Sequence, residues 1–437
     1  MDAPPSRRID AVDFVRGVAL LGIFVMNVRD FGLPLAHFDR PGLAGGLGAG
    51  NVAAWLAGTL LFQDKMIALL SLLFGAGLVL HQRQSAADGR PATPAWLRRC
   101  AWLLLIGVAH AVLLWYGDIL NTYAICGLLL WPLARLPVRV LCWIGALLYL
   151  VPLWFMHGPL LTALVREAIG AGDETSAQIT ASVRAALAPS TGTPAPARVP
   201  DVAAALRVWG AGSYRDTVRE NLRLFVPWHL EGGWRISFWR SGGLMVLGMA
   251  LARSGVLAAP PGDRRLARML GWGLGLGALL VVAATASLLA ADCQRSVGTD
   301  LGAWRPLFGA LGFARRGLMH LGSGLVALGW LALLLHVGQR FAATSTVHAL
   351  ARVGRAALSC YLLQTLLACA LFYGYGAARF GRMSFAELWL VIGAVWLLEL
   401  ELCRFWFARF AIGPCEWAWR SLAEWRRRPW RAAARSS

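Results

Sequence analysis

Ten stretches of this chain, each about twenty residues long, are almost purely apolar, and they leave few folds open. Hydrocarbon offers a peptide group no hydrogen-bond partner, so a segment that crosses it must satisfy its backbone internally, as an α-helix does. The stretches lie at about 12–32, 59–82, 97–116, 119–135, 139–157, 237–254, 268–290, 316–337, 354–375 and 386–409. The expected fold is therefore all-α: a polytopic integral membrane helical bundle of about ten transmembrane helices. A chain that is 58% hydrophobic and 15% charged fits that class better than a soluble core. The fourth stretch is short. The second is interrupted by Asp64-Lys65, so Asn51–Phe62 reads as a separate half-helix.

The net charge of +19 does not point to nucleic acid, because of where the arginines sit. They fall in short loops between spans and in the tail Arg426-Arg427-Arg428-Pro429-Trp430-Arg431, as topology determinants do. Arg7/Arg8, Arg83/Arg90/Arg98/Arg99, Arg135/Arg139, Arg253/Arg264/Arg265/Arg268 and Arg340/Arg352/Arg355 share one side with that tail. That side is expected to be cytoplasmic, with both termini inside. The division that follows is a five-span half over 1–157, an external loop over 158–236 and a second five-span half over 237–437. Within the loop, Ser176–Leu187 and Asp201–Phe225 read as amphipathic helices, and Pro189–Pro200 as a flexible connector. No internal repeat relates the halves. The N-terminus is polar and the first span too long and charged for an h-region, so no signal peptide is expected. Eight scattered cysteines without a CxxC pair suggest small buried hydrophobes, with neither disulfide frame nor metal site.

Polar residues inside spans are expensive, so they are the functional candidates. In the first span Asp13 and Arg16 are neighbours at i,i+3. Asn27 lies three turns further on, roughly 16 Å along the same face. His110 falls inside the third span, and a buried imidazole needs a partner, for which Asp118 and Asn121 are the candidates. Asp118 follows Gly117 in a tight turn, where it either caps the next helix or serves function. Of the other histidines, His37, His157 and His229 fall in outer loops and His320 in the outer half of its span. Outer imidazoles suit general base work. Asp64-Lys65 reads either as an interfacial ion pair with Lys65 snorkelling or as a substrate contact. Glu399, Glu401 and Arg404 in the last span read as a salt-bridge network with other spans. No P-loop, HExxH, GxSxG or GxGxxG context appears.

Together these motifs resemble the YeiB-like bacterial membrane proteins, domain of unknown function 418. The resemblance rests on Arg8-Ile-Asp-Ala-Val-Asp-Phe-Val-Arg16-Gly17 through Gly22 and Asn27, on Asp64-Lys65 with Leu72-Leu73-Phe74-Gly75-Ala76-Gly77, and on His110 with Gly117-Asp118-Ile119-Leu120. It continues in Gly354-Arg355-Ala-Ala-Leu-Ser359-Cys-Tyr361-Leu-Leu-Gln364-Thr365, Phe372-Tyr373-Gly374 and Gly413-Pro414-Cys415-Glu416-Trp417. The first-span pattern is also similar to that of heparan-α-glucosaminide N-acetyltransferase and, more remotely, to membrane O-acyltransferases of bacterial surface sugars.

That resemblance implies acyl transfer across the bacterial cytoplasmic (inner) membrane. The donor would be cytoplasmic acyl-CoA, acetyl-CoA by analogy, and the acceptor a small molecule or glycan on the external side. It implies His37 as base or acyl relay, with Asn27 orienting it or polarising a carbonyl. His110 with Asp118 is the other candidate base, and Arg16, Arg98 and Arg99 would attract the CoA phosphates. Substrate contacts would come from Asp13, Asp64 and Lys65, and from Asn121, Tyr123, Tyr361 and Gln364. The bilayer is the expected partner, with self-association left open. A transporter or flippase of a small solute or lipid-linked sugar is the alternative, and a scaffold with purely structural polar groups the third.

Overall fold

The computed structural model describes residues 5–89, 91–187 and 201–430, and among them every regular element is helical. The chain is an all-helical membrane protein. The expected connector at Pro189–Pro200 falls outside the described residues.

The first half contains α1 (Pro5–Gly32), α2 (Ala49–Leu61), α3 (Lys65–Ala87), α4 (Ala92–Leu113), α5 (Leu120–Leu129) and α6 (Val138–Ala168). The middle contains α7 (Glu174–Leu187), α8 (Val202–Ala205) and α9 (Tyr214–Phe225), followed by a π-helical stretch, Val226–Phe238. The second half contains α10 (Trp239–Arg253), α11 (Arg264–Trp272), α12 (Ala278–Val297), α13 (Arg305–Arg340), α14 (Ser345–Arg355), α15 (Ala357–Phe372), α16 (Phe385–Phe407) and α17 (Pro414–Glu424).

Among the described residues six helical segments are long and apolar enough to cross a membrane: Ala11–Gly32, Ala49–Ala87, Ala92–Leu113, Val138–Ala168, Arg264–Val297 and Gly302–Arg340. The pair α14 and α15, bent by 82° at Ala356, is apolar enough only when taken together, as a broken span or a re-entrant loop. The remaining three expected spans take other forms. The 119–135 stretch is the ten-residue α5 followed by a 3-10 segment, Trp131–Arg135. The 237–254 stretch is the 15-residue α10, extended by the π-helical segment. The last, α16, has 23 residues but carries Glu387, Glu399, Glu401 and Arg404. The half-helix expected over 51–62 is present as α2, separated from α3 by Asp64 in the left-handed region at φ 62.

Two glycine-mediated crossings set the frame. A Cβ on Gly75 of α3 would lie 1.9 Å from the Met245 carbonyl oxygen, and one on Gly248 of α10 would lie 2.0 Å from that of Leu72. These helices pack backbone to backbone, as small residues permit within a bilayer. The same device joins α1 to α14. A Cβ on Gly17 would lie 2.0 Å from the Leu350 oxygen, and one on Gly354 1.9 Å from that of Asp13. Around these crossings the buried core draws on α1, α3, α10, α13 and α14. The lipid-facing surface is apolar instead. Trp143 (79%), Leu147 (67%) and Leu390 (75%) are largely exposed.

Candidate functional site

The α1–α14 crossing holds Arg16 in place. Its Nη1 donates to Asp13 Oδ1 at 2.6 Å, realising the i,i+3 pair, and reaches Gly354 O at 3.4 Å. From there Arg16 lines a chamber of about 260 Å³ together with Arg99, Arg355 and Arg420. Its apolar wall includes Leu20, Ile23 and Phe74. Arg99 is packed over Trp419 (4.9 Å) and Arg355 over Phe407 (4.4 Å), so the aromatic faces hold both guanidinium groups. Burial, reinforced by Arg428, holds the Arg420 guanidinium below its ordinary pKa. Glu416 is the carboxylate on this lining, and it is already engaged. It accepts from Leu358 N (2.5 Å), Ser359 N (3.2 Å) and Ser359 Oγ (2.6 Å), capping α15 directly after the bend. Four guanidinium groups against two committed carboxylates, Glu416 on the lining and Asp13 paired with Arg16, leave a net positive potential suited to an anion.

A second chamber of about 250 Å³ lies beyond it. Asn27, Asp30, Asp118, Thr122, His229, Ser237 and Arg240 supply its polar lining, and Phe38, Trp115 and Trp228 its aromatic lining. Ile119 lines both chambers. Beside it, Tyr361, whose ring lines the first chamber, donates its hydroxyl to Asp118 Oδ1 at 3.3 Å. The two cavities therefore meet at one thin partition.

His110 is built into that partition and is 3% exposed. Its Nδ1 lies 2.9 Å from Asp118 Oδ1, and its Nε2 is 2.9 Å from Thr365 Oγ1. Asp118 Oδ2 also accepts from Asn121 N at 3.0 Å. Asp118 thus caps the first turn of α5 through Oδ2, and its Oδ1 lies against the buried imidazole. His110 lines neither chamber, so Asp118 is the member of the pair that reaches open space.

A family model described as "Protein of unknown function (DUF418)" matches residues 251–426. Over 425 residues the chain is 31% identical to "Uncharacterized protein YeiB" of Escherichia coli (strain K12), covering 94% of this chain and 95% of that one. The chain belongs to the YeiB-like DUF418 family. It is also 25% identical over 430 residues to "Uncharacterized protein YxaH" of Bacillus subtilis (strain 168), covering 95% of this chain and 94% of that one. No solved structure matches it.

The other candidates of this YeiB-like chain are placed as follows. Asn27 lines the second chamber, but His37, in the 3-10 turn Leu35–His37, stands outside that lining although Leu35 and Phe38 belong to it. Burial and the nearby Arg40 charge hold the His37 imidazole below its ordinary pKa. Arg98 is not on the arginine chamber. Its Nε donates to Ala423 O at 2.7 Å. Asn121 reaches His229 Nδ1 at 3.0 Å through its amide nitrogen. Tyr123 sits near Ser71 Oγ (2.9 Å) and donates to Ile67 O (3.1 Å). Gln364 turns to Glu399 Oε2 at 3.0 Å.

Two expectations are corrected. Lys65 does not snorkel. It is 0% exposed, and its Nζ donates to Thr59 O at 2.7 Å, a carbonyl made available by the helix break. Asp64 pairs instead with Arg240 Nη1 at 2.6 Å. Nor, among the described residues, do Glu399 and Glu401 of α16 pair with arginines of other spans. Glu401 pairs with Arg404 on the same helix at 3.2 Å, and Glu399 is held by Gln364.

Sequence reasoning missed Asp30, Arg240 and the reach of His229 into the second chamber. Asp30 accepts from Trp115 Nε1 (3.2 Å) and Tyr116 Oη (3.0 Å). It lies one turn beyond Asn27 on the same face, a spacing that could have marked it. Burial holds the His229 imidazole below its ordinary pKa, and Asp118 and the Tyr116 carbonyl act against that shift.

Proposed function

We propose that this protein is a multi-pass acyltransferase of the bacterial cytoplasmic membrane, of about ten spans, with both termini inside. It would move an acyl group, acetyl by analogy, from cytoplasmic acyl-CoA to a hydroxyl or amine on the outer side. The observation that carries the reading is the pair of chambers meeting at the His110–Asp118–Tyr361 partition, one lined by arginines and the other by Asn27, Asp30 and Asp118.

The arginine chamber suits the donor's chemistry. At about 260 Å³ it is smaller than the roughly 300–1,000 Å³ pockets that take a drug-sized ligand whole. It therefore fits the pantetheine arm, with the phosphates drawn to Arg16, Arg99, Arg355 and Arg420 and the nucleotide left at the mouth. In the transfer the acceptor O–H or N–H loses its proton to Asp118, whose partner His110 stabilises the proton on the pair. The acceptor heteroatom bonds to the acyl carbon and the acyl–sulfur bond breaks. The proton returns to the departing sulfur, and Tyr361 spans that route. Asn27 faces the same space and supplies a donor for the carbonyl oxygen. His37, near the chamber mouth, would act on the acceptor only after movement of its turn.

The test uses purified protein in vesicles with labelled acetyl-CoA on the arginine side. Label should leave the donor. His110→Ala and Asp118→Asn should each slow this by about 10²–10⁴, the usual contribution of acid–base catalysis. Wild-type turnover in both variants would refute the site. The break at Asp64 and the 82° bend at Ala356 favour one second reading, transport, because discontinuous helices frame transporter sites. Solute movement without any acyl donor would select it.

A further inference from the structure

Beside the second chamber runs a groove of about 260 Å³ with the opposite chemistry. Leu104 and Val108 of α4, Ile125 of α5, and Phe225, Leu230 and Trp234 form its walls. Chamber and groove are adjacent, sharing Thr122, His229 and Gly233 in their linings. The groove opens on an apolar face, where Leu230 is 58% and Trp234 50% exposed, with Leu105 of α4 at 57%. In an all-helical membrane protein an exposed apolar face of this kind suits contact with lipid.

A water-soluble acceptor has no use for an apolar side door. A membrane amphiphile does. Withdrawing its hydrocarbon chain into water is costly for every CH₂ exposed, so the molecule can present its head only if the chain stays in apolar surroundings. The groove supplies those surroundings and the chamber receives the head. We propose that the acceptor is a membrane amphiphile taken up sideways from the bilayer, its polar head in the Asp30/Asp118 chamber and its hydrocarbon chain in the Val108/Ile125/Trp234 groove.

His229 and Thr122 stand at the threshold between the two. The imidazole is held by the Asn121 side chain at 3.0 Å, and the Asn121 backbone N–H is bound by Asp118 at 3.0 Å. One short chain of contacts thus links the threshold to the partition.

The word acceptor rests on the acyltransferase reading; the binding site does not, and two measurements separate them. In the first, p-benzoylphenylalanine replaces Ile125 in the full chain in native membranes, with Leu147 on α6 as a lipid-facing control, and adducts are identified by mass. One head-group class should be enriched several-fold at Ile125 over Leu147. Matching bulk-lipid adducts at both positions would overturn the proposal. In the second, the protein in vesicles of bacterial polar lipid receives labelled acetyl-CoA. Label should enter the organic phase, and Val108→Trp, which fills the groove, should reduce it at least tenfold. The crosslinking result decides if that variant fails to fold. Label found only on an added water-soluble sugar, at full rate in Val108→Trp, would sink the amphiphile and leave acyl transfer standing. Selective adducts at Ile125 with no label leaving acetyl-CoA would do the reverse.

Discussion

Glu416 offers a test of the frame that does not depend on any assumed activity. Its carboxylate, 5% exposed, receives three hydrogen bonds at the start of α15, two from the backbone N–H groups of Leu358 and Ser359 and one from the Ser359 hydroxyl. Those N–H groups are among the four that a helix start leaves without intrahelical partners. They follow the 82° bend that brings α14 into α15, and the acid that binds them is buried. Hydrogen bonds to a charged group contribute about 1.5–3 kcal/mol each, and a carboxylate at a helix N-terminus up to about 2 kcal/mol more through the dipole.

Glu416→Gln keeps the shape and one acceptor but removes the charge, and should lower stability by about 2–3 kcal/mol. Glu416→Ala strands all three donors and should lower it by about 4–5 kcal/mol, the upper end for a single substitution. The measurement is reversible unfolding in mixed micelles. A second readout is the distance between paramagnetic labels at His348 on α14 and Leu366 on α15, both exposed. Its distribution should stay narrow in the Gln variant and broaden in the Ala variant. If both variants unfold within about 0.5 kcal/mol of wild type, the cap does not hold the bend and the reasoning fails.

Arg99→Ala should raise KM for acetyl-CoA about tenfold and weaken its salt dependence, because Arg99 lines the arginine chamber. Arg98→Ala should act through stability instead, since that side chain is spent on the Ala423 carbonyl; equal KM effects in kinetics at two ionic strengths would refute the distinction. Gly354→Ala places a Cβ 1.9 Å from the Asp13 oxygen and should destabilise by about 1–3 kcal/mol in the same unfolding measurement. An unchanged midpoint would mean that α1 and α14 do not touch there. The pKa values of His37 and His229 are both held below 6.5, so the folded state binds fewer protons than the unfolded state in mildly acid solution. Stability should therefore fall as pH drops through about 6.5 toward 5, and His229→Gln should flatten part of that slope. A slope identical to wild type in unfolding titrations would exclude His229 as a contributor.

What the sequence disclosed was local. The Asp13–Arg16 pair follows from i,i+3 geometry alone, and it forms at 2.6 Å. The half-helix before Asp64 was visible because charge and turn-forming residues interrupt an apolar run. His110 called for a partner, and Asp118, eight residues away, was within reach across a tight turn. Apart from Asp30, which helical spacing from Asn27 could have marked, what stayed hidden shares one cause, contact between distant segments. Glu416 caps a helix whose first residues lie 57 and 58 positions away, and His229 meets Asn121 across 108 positions. No periodicity within a window encodes either approach. Lys65 shows the same limit from the other side. Its charge and its place beside a break were plain, and both suggested snorkelling. The break, however, frees the Thr59 carbonyl at the spot the ammonium can reach, and α13 closes over it with Met319. A cation beside a helix break has two outlets, the interface and the carbonyls that the break exposes, and the second wins when a neighbouring helix seals the first.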